Sequence, residues 1–361
     1  MSEAKEPCEA VLQNLLQASP LPKAWRLAER FIDRAHIAQL DLQLVGVVGE
    51  LLDGVEQGGA MARQVTGSAA GVDAEATASR AYYELLERVS VVEVQRHGES
   101  LPVCDIEGRS SHRIEPRTLL GEPLGPAQRL SYSNGVACGR DWPSACQSAW
   151  YELVERDAVL RSWYGQLRFE RCPDEAQQLG PLNGVQPYYH VQAYWLEHCA
   201  AAVAFAVAWP LEQPRLAPPP SGLPLVYGAA ARETRAEAVE AASRECAQRL
   251  GFLWGEALPE APPEFAPDPA YHQEFFLVEA ASARLRGWLQ GEHARLGAEL
   301  ASGPAEVPIG SARFVDLTPP AARGLYVVVK AEHEALLPLV FGRGHPQCRR
   351  LPETLAVHPV A

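Results

Sequence analysis

The chain has 361 residues, of which 47% are hydrophobic and 21% are charged, and this balance excludes a disordered chain and is typical of a globular protein with a large core. Its formal net charge of −13 argues against a protein that binds duplex nucleic acid, because such proteins carry a basic stripe. The same charge is compatible with a nucleotide that is held through metal ions.

The cysteines and the N-terminal residues indicate the compartment. The eight cysteines form no Cys-x-x-Cys pair, which argues against a zinc ribbon or a redox motif and favours free, buried thiols. The first residues, MSEAKEPCEA, lack the apolar core of a signal peptide, and no apolar run approaches the ~18 residues of a membrane span. We therefore expect a soluble, cytoplasmic protein that binds neither nucleic acid nor membrane.

Residues 1–60 have the pattern of amphipathic helices, most clearly in LPKAWRLAERFIDRAHIAQL and QLVGVVGELLDG. These stretches contain no motif that carries chemistry. We therefore expect this region to pack against the rest of the protein or to dock a partner.

Three later helices have clear start signals. Asp73 is a plausible N-cap of the first of them, and Asp141 caps the second, with Pro143 in its first turn. The third begins with a capping box formed by Thr234 and Glu237. Strand patterns alternate with these helices, in HVQAYWL, AAVAFAVAWP, ARFVDLT and GLYVVVKAEH. The interleaving predicts an α/β (α+β) protein in which mixed sheets pack against helices.

One octapeptide occurs twice, with two substitutions between the copies: AYYELLER at 81–88 and AWYELVER at 149–156. The simplest interpretation is a pair of solvated ion pairs, Glu84 with Arg88 and Glu152 with Arg156. Each such pair contributes only about 0.3–0.5 kcal/mol to an exposed helix.

The position of the glutamates on each helix favours a second interpretation. In both copies, two glutamates three residues apart lie just outside the same edge of the apolar arc. Carboxylates at the rim of a buried stripe are costly without a cation. The third helix offers a glutamate and a glutamine at equivalent positions. The six side chains are Glu84 and Glu87, Glu152 and Glu155, and Glu245 and Gln248.

A set of oxygen ligands without histidine suits a hard divalent cation such as Mg²⁺, which also bridges to the phosphates of a substrate. Such a cluster can bind ATP through its metal ions, and the sequence contains no Walker A loop. From the spacing alone, two interpretations stay open: a metal–nucleotide site between helices, or ion pairs and packing acids.

A resemblance to a known family favours the first interpretation. SNGVACGRDWPSACQSAWYELVERDA resembles the most characteristic segment of the YcaO family, in which a Ser-Asn-Gly turn leads into a Glu-x-x-Glu-Arg-Asp helix. The other YcaO-like segments follow in order: GSAAGVDAEATASRAYYELLER, EAVEAASRECAQ and FVDLTPPAARGLYVVVKAEHEALLPLVFG. The similarity covers roughly residues 61–361, which we interpret as a YcaO-like catalytic domain after a divergent N-terminal region at 1–60.

The resemblance implies an ATP-dependent enzyme that acts on peptide backbone amides. In that chemistry a nucleophile adds to the amide carbon, ATP phosphorylates the resulting oxygen, and phosphate leaves. The protein positions the reactants and neutralises charge through Mg²⁺. We expect the conversion of Cys, Ser or Thr residues of a ribosomally made precursor peptide into azolines.

The resemblance also implies roles for individual residues. The metal ligands would be the five glutamates of the three helices. The remaining contacts to ATP would come from the glutamine, three arginines and the Ser-Asn-Gly turn. The proposed metal ligands are Glu84, Glu87, Glu152, Glu155 and Glu245, and the further nucleotide contacts are Arg80, Arg88, Ser133, Asn134, Arg156 and Gln248.

The sequence departs from the family pattern at three places. The family usually has Gly-Lys-Gly where this chain has 69–71, Ala-Ala-Gly, and it usually has Ser where this chain has Arg80. Arg80 could replace the missing lysine charge, or it could pair with the acids and weaken metal binding. Azoline-forming members commonly end in Pro-x-Pro-x-Pro, whereas this chain ends in 358–361, His-Pro-Val-Ala, and keeps one proline.

Three functional alternatives therefore remain. The first is azoline formation together with a leader-peptide-binding partner, since no segment resembles a leader-binding module, and with a homodimeric state. The second keeps the ATP chemistry with another nucleophile, so that sulfide gives a thioamide, an amine an amidine, and water a cleaved backbone. The third is a catalytically silent scaffold or peptide-binding subunit, which is motivated by Arg80 and the missing lysine.

Overall fold

A computed structural model of the chain describes residues 5–52, 64–116, 119, 124, 126–173, 179–295, 306–347 and 355–360. In this part the chain forms helices and antiparallel sheets that alternate along the sequence, so the predicted mixed α/β architecture is confirmed. The seven cysteines in these residues are free thiols. No helix in the described ranges has the length and apolarity to cross a membrane.

The N-terminal region is only partly helical. Helix α1 (Lys5–Ala18) is followed by two long strands, β1 (Trp25–Ile37) and β2 (Leu40–Leu51), and the prediction of helices there is wrong. The two strands pair along their whole length, and β2 also pairs with β3 (Gln64–Gly71). The charged residues of β1 are exposed, and the pairing with β2 outweighs the local helical pattern.

The first sheet therefore joins the N-terminal region to the domain that follows. Its strand order is β1-β2-β3, and β3 belongs to the segment that resembles the YcaO family. The boundary predicted at 60/61 lies in 53–63, outside the described residues.

The second sheet has five strands in the order β5-β4-β12-β13-β7. The predicted C-terminal strands are confirmed as its β12 and β13. A short pair, β14 with β6, lies beside it. The bounds are β4 (Leu101–Cys104), β5 (Ser110–Ile114), β6 (Gln128–Leu130), β7 (Val136–Gly139), β12 (Arg313–Asp316), β13 (Val327–Glu332) and β14 (Val340–Gly342).

The third sheet has the order β11-β10-β9-β8. Its β9 and β10 confirm two further predicted strands, and every residue of β10 except the last is buried, as its apolar run indicated. The bounds are β8 (Glu170–Arg171), β9 (Tyr189–His198), β10 (Ala201–Pro210) and β11 (Val226–Arg232).

Besides α1, five α-helices among the described residues pack between and around these sheets. All three predicted caps are present: Asp73 accepts from Ala76 N at 2.6 Å, Asp141 accepts from Ser144 N at 2.9 Å, and Thr234 forms the capping box with Glu237. The bounds are α2 (Ala74–His97), α3 (Trp142–Trp163), α4 (Arg235–Leu253), α5 (Pro269–Phe275) and α6 (Glu279–Leu289).

Helix α3 is the central element of the fold. It packs against β7 and β13 of the second sheet and also against β10 and β11 of the third. Helix α2 packs on β3 and also contacts β7, while α4 packs on β11 and reaches β3 of the first sheet. The three helices that carry the candidate residues therefore come together where the three sheets meet.

Candidate active site

In two strand–helix units, a strand glycine and the backbone N–H that follows it hold a helix glutamate in the same way. Gly67 in β3 and Gly228 in β11 lie so close to their helices that a Cβ at either position would overlap helix backbone atoms. In each unit the next residue donates its backbone N–H to a helix glutamate, Ser68 N to Glu84 Oε2 at 2.7 Å and Ala229 N to Glu245 Oε2 at 3.1 Å. Donor and acceptor are 16 residues apart in both units.

Backbone N–H groups in and next to β7 face glutamates from two helices. Cys138 N donates to Glu87 Oε1 of α2 at 2.7 Å. The backbone N–H of Gly135 faces Glu152 of α3 and favours the ionised form of its carboxyl. Backbone N–H groups thus contact both glutamates of α2, Glu152 of α3 and Glu245 of α4.

The predicted side chains surround two adjoining cavities. The larger one, here called the main cavity, has a volume of about 970 Å³, and the smaller one, the side cavity, about 430 Å³. Glu155 lines both of them, so the two cavities meet at this carboxylate. The main cavity is also lined by Glu84, Glu245 and Gln248, and the side cavity by Glu87 and Glu152.

Burial raises the pKa values of four of these acids. Burial, and next the charge of Glu152, raises the pKa of Glu87 well above the ordinary value. Burial and then the neighbouring Glu245 raise the pKa of Glu155 in the same way. The pKa values of Glu152 and Glu245 are raised by burial as well. The acids repel one another and lack full compensation within the protein.

The helical ion pairs expected from the repeated octapeptide are present. Arg88 Nη2 lies 2.5 Å from Glu84 Oε1, and Arg156 Nη2 lies 3.0 Å from Glu152 Oε1. The second pair is mostly buried, with side-chain exposures of 19% for Arg156 and 23% for Glu152. Both arginines also line the main cavity, although the Arg88 side chain is 51% exposed and stays open to solvent.

Two buried polar groups, one in the wall of the main cavity and one in the Ser-Asn-Gly turn, have no partner among the described residues. Among the described residues, Asn134 Oδ1 and Arg156 Nε are buried without a hydrogen bond. No group of three or more His, Cys, Asp or Glu side chains within those residues forms a metal cage by itself. Protein-bound Mg²⁺ commonly uses one or two carboxylates together with substrate phosphates, so this donor set fits a metal–phosphate complex better than an isolated ion.

The Ser-Asn-Gly turn lies at the same site. Ser133 lines the main cavity, and Asn134 is 6% exposed. Lys330 of β13, which the sequence analysis did not single out, donates from Nζ to Asn134 O at 2.6 Å and to Tyr132 O at 3.2 Å. The sequence feature that could have drawn attention to Lys330 is that lysine is rare in this chain, with three lysines among its 32 Lys and Arg residues.

Arg80 faces away from the acids. Its Nη2 donates to Ala70 O at 3.1 Å and to Thr77 Oγ1 at 3.3 Å, and neither cavity has Arg80 in its lining. Burial, and next the charge of Arg244, lowers its pKa. Within the described part of the chain, Arg80 forms no ion pair with the helix glutamates. Ala70 is buried and packs near Gly251, on the core side of β3.

The main cavity has further walls that sequence reasoning did not find. Arg249 lies over the Tyr227 ring, with 4.3 Å from Cζ to the ring centroid, and both residues line the cavity. Arg232 lines the side cavity beside the acids. No motif marked these three positions, because they meet the glutamates only through packing of β11 and α4.

The C-terminal segment forms another wall of the main cavity, through Pro359 and Val360. The buried His358 next to them anchors this segment, with Nε2 lying 2.8 Å from Val340 O. The His358 ring also packs against His272, with ring centroids 4.3 Å apart. Trp163 Nε1 donates to Leu355 O at 3.0 Å, which ties the segment to α3.

Comparisons with known proteins agree with this architecture. A family model described as YcaO cyclodehydratase, ATP- and Mg²⁺-binding, matches residues 118–329. The search of curated proteins found no match.

Several solved structures share the fold at low identity. The YcaO from Methanopyrus kandleri bound with AMPPCP and Mg²⁺ matches with 17% identity and a TM-score of 0.55, over 91% of this chain and 90% of that one. A heterocyclase in complex with substrate and cofactor matches with 15% identity and a TM-score of 0.54, over 90% of this chain and 52% of that one. The E. coli microcin synthetase McbBCD complex matches with 10% identity and a TM-score of 0.53, over 85% and 87%.

Proposed function

Since the chain belongs to the YcaO family, which is described as ATP- and Mg²⁺-binding, we propose that it activates backbone amides of a ribosomally made precursor peptide. The specific reaction we propose is cyclodehydration of Cys, Ser or Thr residues to azolines. The observation that carries the proposal is the meeting of six oxygen-bearing side chains from three helices at two cavities that share Glu155.

The residues of the site have the chemistry that Mg²⁺ and ATP need. Glu84, Glu155 and Glu245 would hold metal ions at the main cavity, and Glu87 and Glu152 would do so at the side cavity. When bound, ATP supplies the phosphoryl group that makes the amide oxygen a good leaving group. The raised pKa values of these buried acids are consistent with carboxylates whose charge is balanced by bound cations.

The arginines and the turn complete the nucleotide contacts. Arg156 lines the main cavity, and its guanidinium could donate to a phosphate oxygen there. Its buried Nε–H has no partner among the described residues. Arg88, Ser133 and Gln248 line the same cavity. Asn134 follows Ser133 in the chain and has an unpartnered buried acceptor, but it lies outside the lining of both cavities.

Ring formation is supported by the C-terminal wall of the main cavity. The family resemblance associates azoline formation with a proline-containing tail that reaches the active site, and here Pro359 lines the main cavity. The position of Pro359 in this wall supports a role of the C-terminal segment in ring formation.

Mass spectrometry of a candidate precursor peptide, encoded by a neighbouring gene, tests the reaction after incubation with protein, ATP and Mg²⁺. We expect the loss of one water per modified residue. Exchange of oxygen for sulfur would instead indicate thioamide formation, an added amine an amidine, and two fragments backbone cleavage. An unchanged peptide in the same assay, with no Mg-ATP binding by calorimetry, would favour the scaffold alternative. Glu152→Ala/Glu155→Ala serves as the control that removes the proposed metal ligands.

We also propose that residues 1–60 dock a leader-peptide-binding partner and that the protein is a homodimer. Strand β1 lies at the edge of its sheet, and its Phe31 is 46% exposed. The matched microcin synthetase is itself a complex. Phe31→Ser should weaken co-elution with the partner on size exclusion, whereas Leu216→Ser, at a similarly exposed apolar residue, should not. Light scattering on the same column tests the dimer.

A further inference from the structure

Lys330 is a buried lysine that binds a turn of the candidate site. It lies in β13 and is 7% exposed. Its Nζ donates to Tyr132 O at 3.2 Å and to Asn134 O at 2.6 Å, so it contacts the carbonyls on both sides of Ser133. The next residue in the strand, Ala331, donates its N–H to Gly135 O at 2.8 Å. Side chain and backbone of β13 thus hold the same turn, residues 131–135.

The turn contributes one residue to the cavity wall and holds two further polar groups. Ser133 lines the main cavity, whereas Asn134 lines neither cavity and has its buried Oδ1 without a partner among the described residues. The backbone N–H of Gly135 faces Glu152 and favours its ionised form. Gly135 also has a φ of 69°, and a Cβ there would lie 2.9 Å from Ala331 O. The turn is therefore fitted tightly against β13 at its far end as well.

The chemistry of the side chain suits this contact. An ammonium is compact and has three donors on a flexible stem, so it can serve two carbonyls of one tight turn, which a planar guanidinium does less well. The chain otherwise uses arginine, with lysine only at Lys5, Lys23 and Lys330. Burying a charge is costly unless it is paired and hydrogen-bonded. The charged groups that face Lys330 are Glu152 of α3, Glu332 of β13 and Arg156 of α3.

We propose that Lys330 is a positioning residue that fixes the 131–135 turn, and thereby places Asn134 and Glu152 for the nucleotide and its metal ions. This inference rests on the proposed ATP-binding function. Lys330 lines neither cavity, so it acts through the turn and not by touching the nucleotide.

Amide hydrogen exchange of the full-length protein without nucleotide gives the first test. Val136 N–H, which donates to Ser133 O, and Gly135 N–H report the order of the turn. Lys330→Met should raise their exchange rates about tenfold or more, because the turn loses two charge-assisted hydrogen bonds. Lys23→Met, at an exposed lysine, should leave them unchanged. Lys330→Gln keeps one amide donor, should give an intermediate rate, and is the variant to use if Lys330→Met does not fold.

Calorimetry with Mg-ATP gives the second test, below the melting temperature of each variant. Lys330→Met should weaken binding about 10- to 100-fold, as is typical when a residue that orients metal ligands is lost. Asn134→Ala should add little when combined with Lys330→Met, because both changes remove the same placed group. A merely structural lysine would lower the melting temperature while leaving the affinity and the turn exchange near wild type.

The two tests separate the inference from the proposed function. If wild-type protein binds Mg-ATP and a folded Lys330 variant has both turn exchange and affinity within twofold of wild type, the positioning role is overturned. Fully additive losses in the double variant would overturn it as well. If wild-type protein does not bind Mg-ATP, the proposed function is wrong, and Lys330 cannot position residues for a nucleotide. The exchange data would then still show whether Lys330 holds the turn.

Discussion

His198 of β9 and Asp157 of α3 are joined by a buried contact of 2.5 Å between His198 Nε2 and Asp157 Oδ2. The same carboxylate accepts from Arg161 Nε at 2.8 Å and from Leu337 N at 2.6 Å. Asp157 follows Glu155 on α3 by two residues. The network therefore fixes the helix that carries the central carboxylate of the site to the third sheet and to the segment after β13.

Because of this network, the free energy of unfolding should fall as the pH rises into the alkaline range. Burial lowers the pKa of His198, but the hydrogen bond and charge of Asp157, with a contribution from Cys199, outweigh it and raise the pKa to about 9. A raised pKa means that the imidazolium contributes its full stabilisation below about pH 6.5, and that this is lost as the pH rises through about 9. We expect His198→Gln to lower the free energy of unfolding by about 3 kcal/mol at pH 6 and by much less at pH 10.

Urea unfolding between pH 6 and pH 10 checks this prediction. His190→Gln is the matched control, because His190 is an exposed residue of the same strand. A difference between wild type and His198→Gln that stays constant over this range would contradict the assignment of the charged pair.

Mg-ATP binding should release protons. Burial and neighbouring carboxylates raise the pKa values of Glu87 and Glu155 well above the ordinary value, so these groups retain protons to a higher pH than exposed glutamates. A metal ligand must be deprotonated, and binding therefore becomes tighter as the pH rises. We expect on the order of one proton released near neutral pH, and fewer for Glu155→Gln. Calorimetry in buffers of different ionisation enthalpy measures the number directly, and zero release with affinity independent of pH would oppose the metal role.

Gly228→Ala should disturb the site without changing any ligand. The new Cβ would lie 2.5 Å from Cys246 N and 2.6 Å from Ala242 O, and these are backbone atoms that move only with α4. We expect a loss of about 3 kcal/mol in stability, together with weaker Mg-ATP binding because Glu245 and Gln248 shift. Gly310→Ala, where no atom lies within 4 Å of the new Cβ, should behave as wild type in thermal melts and calorimetry. Unchanged nucleotide affinity in folded Gly228→Ala would show that the close approach of strand and helix does not set the ligand positions.

Arg80→Ser, which introduces the residue that is usual in the family, should affect stability more than ATP binding. Arg80 donates to Ala70 O and Thr77 Oγ1 and lines neither cavity. Loss of a hydrogen bond from a charged group costs about 1.5–3 kcal/mol, which thermal or urea unfolding would detect. We expect the dissociation constant for Mg-ATP to stay within about twofold of wild type. A large change in that constant would instead indicate that Arg80 acts on the acids, as one of the sequence-based alternatives supposed.

Local chemistry made much of the fold predictable. The caps at Asp73, Asp141 and Thr234 mark helix starts through hydrogen bonds within one turn, and all of them are present. The apolar run of β10 likewise reports its burial directly. Strands β1 and β2 were not predictable in this way, since the charged, helix-like pattern of 21–40 becomes a strand only through pairing with β2.

The amino-acid sequence by itself determined which side chains the three helices offer: their spacing places Glu84 and Glu87, and their counterparts, at the rim of each apolar face. Only the tertiary structure decided how they meet. Close approach at Gly67 and Gly228, and the backbone donors beside them, bring distant segments to cavities that share Glu155. The hydrogen-bond partners of Lys330 and Arg80 also depend on the tertiary structure. A buried charged side chain must be hydrogen-bonded, and here the acceptors are backbone carbonyls of neighbouring segments.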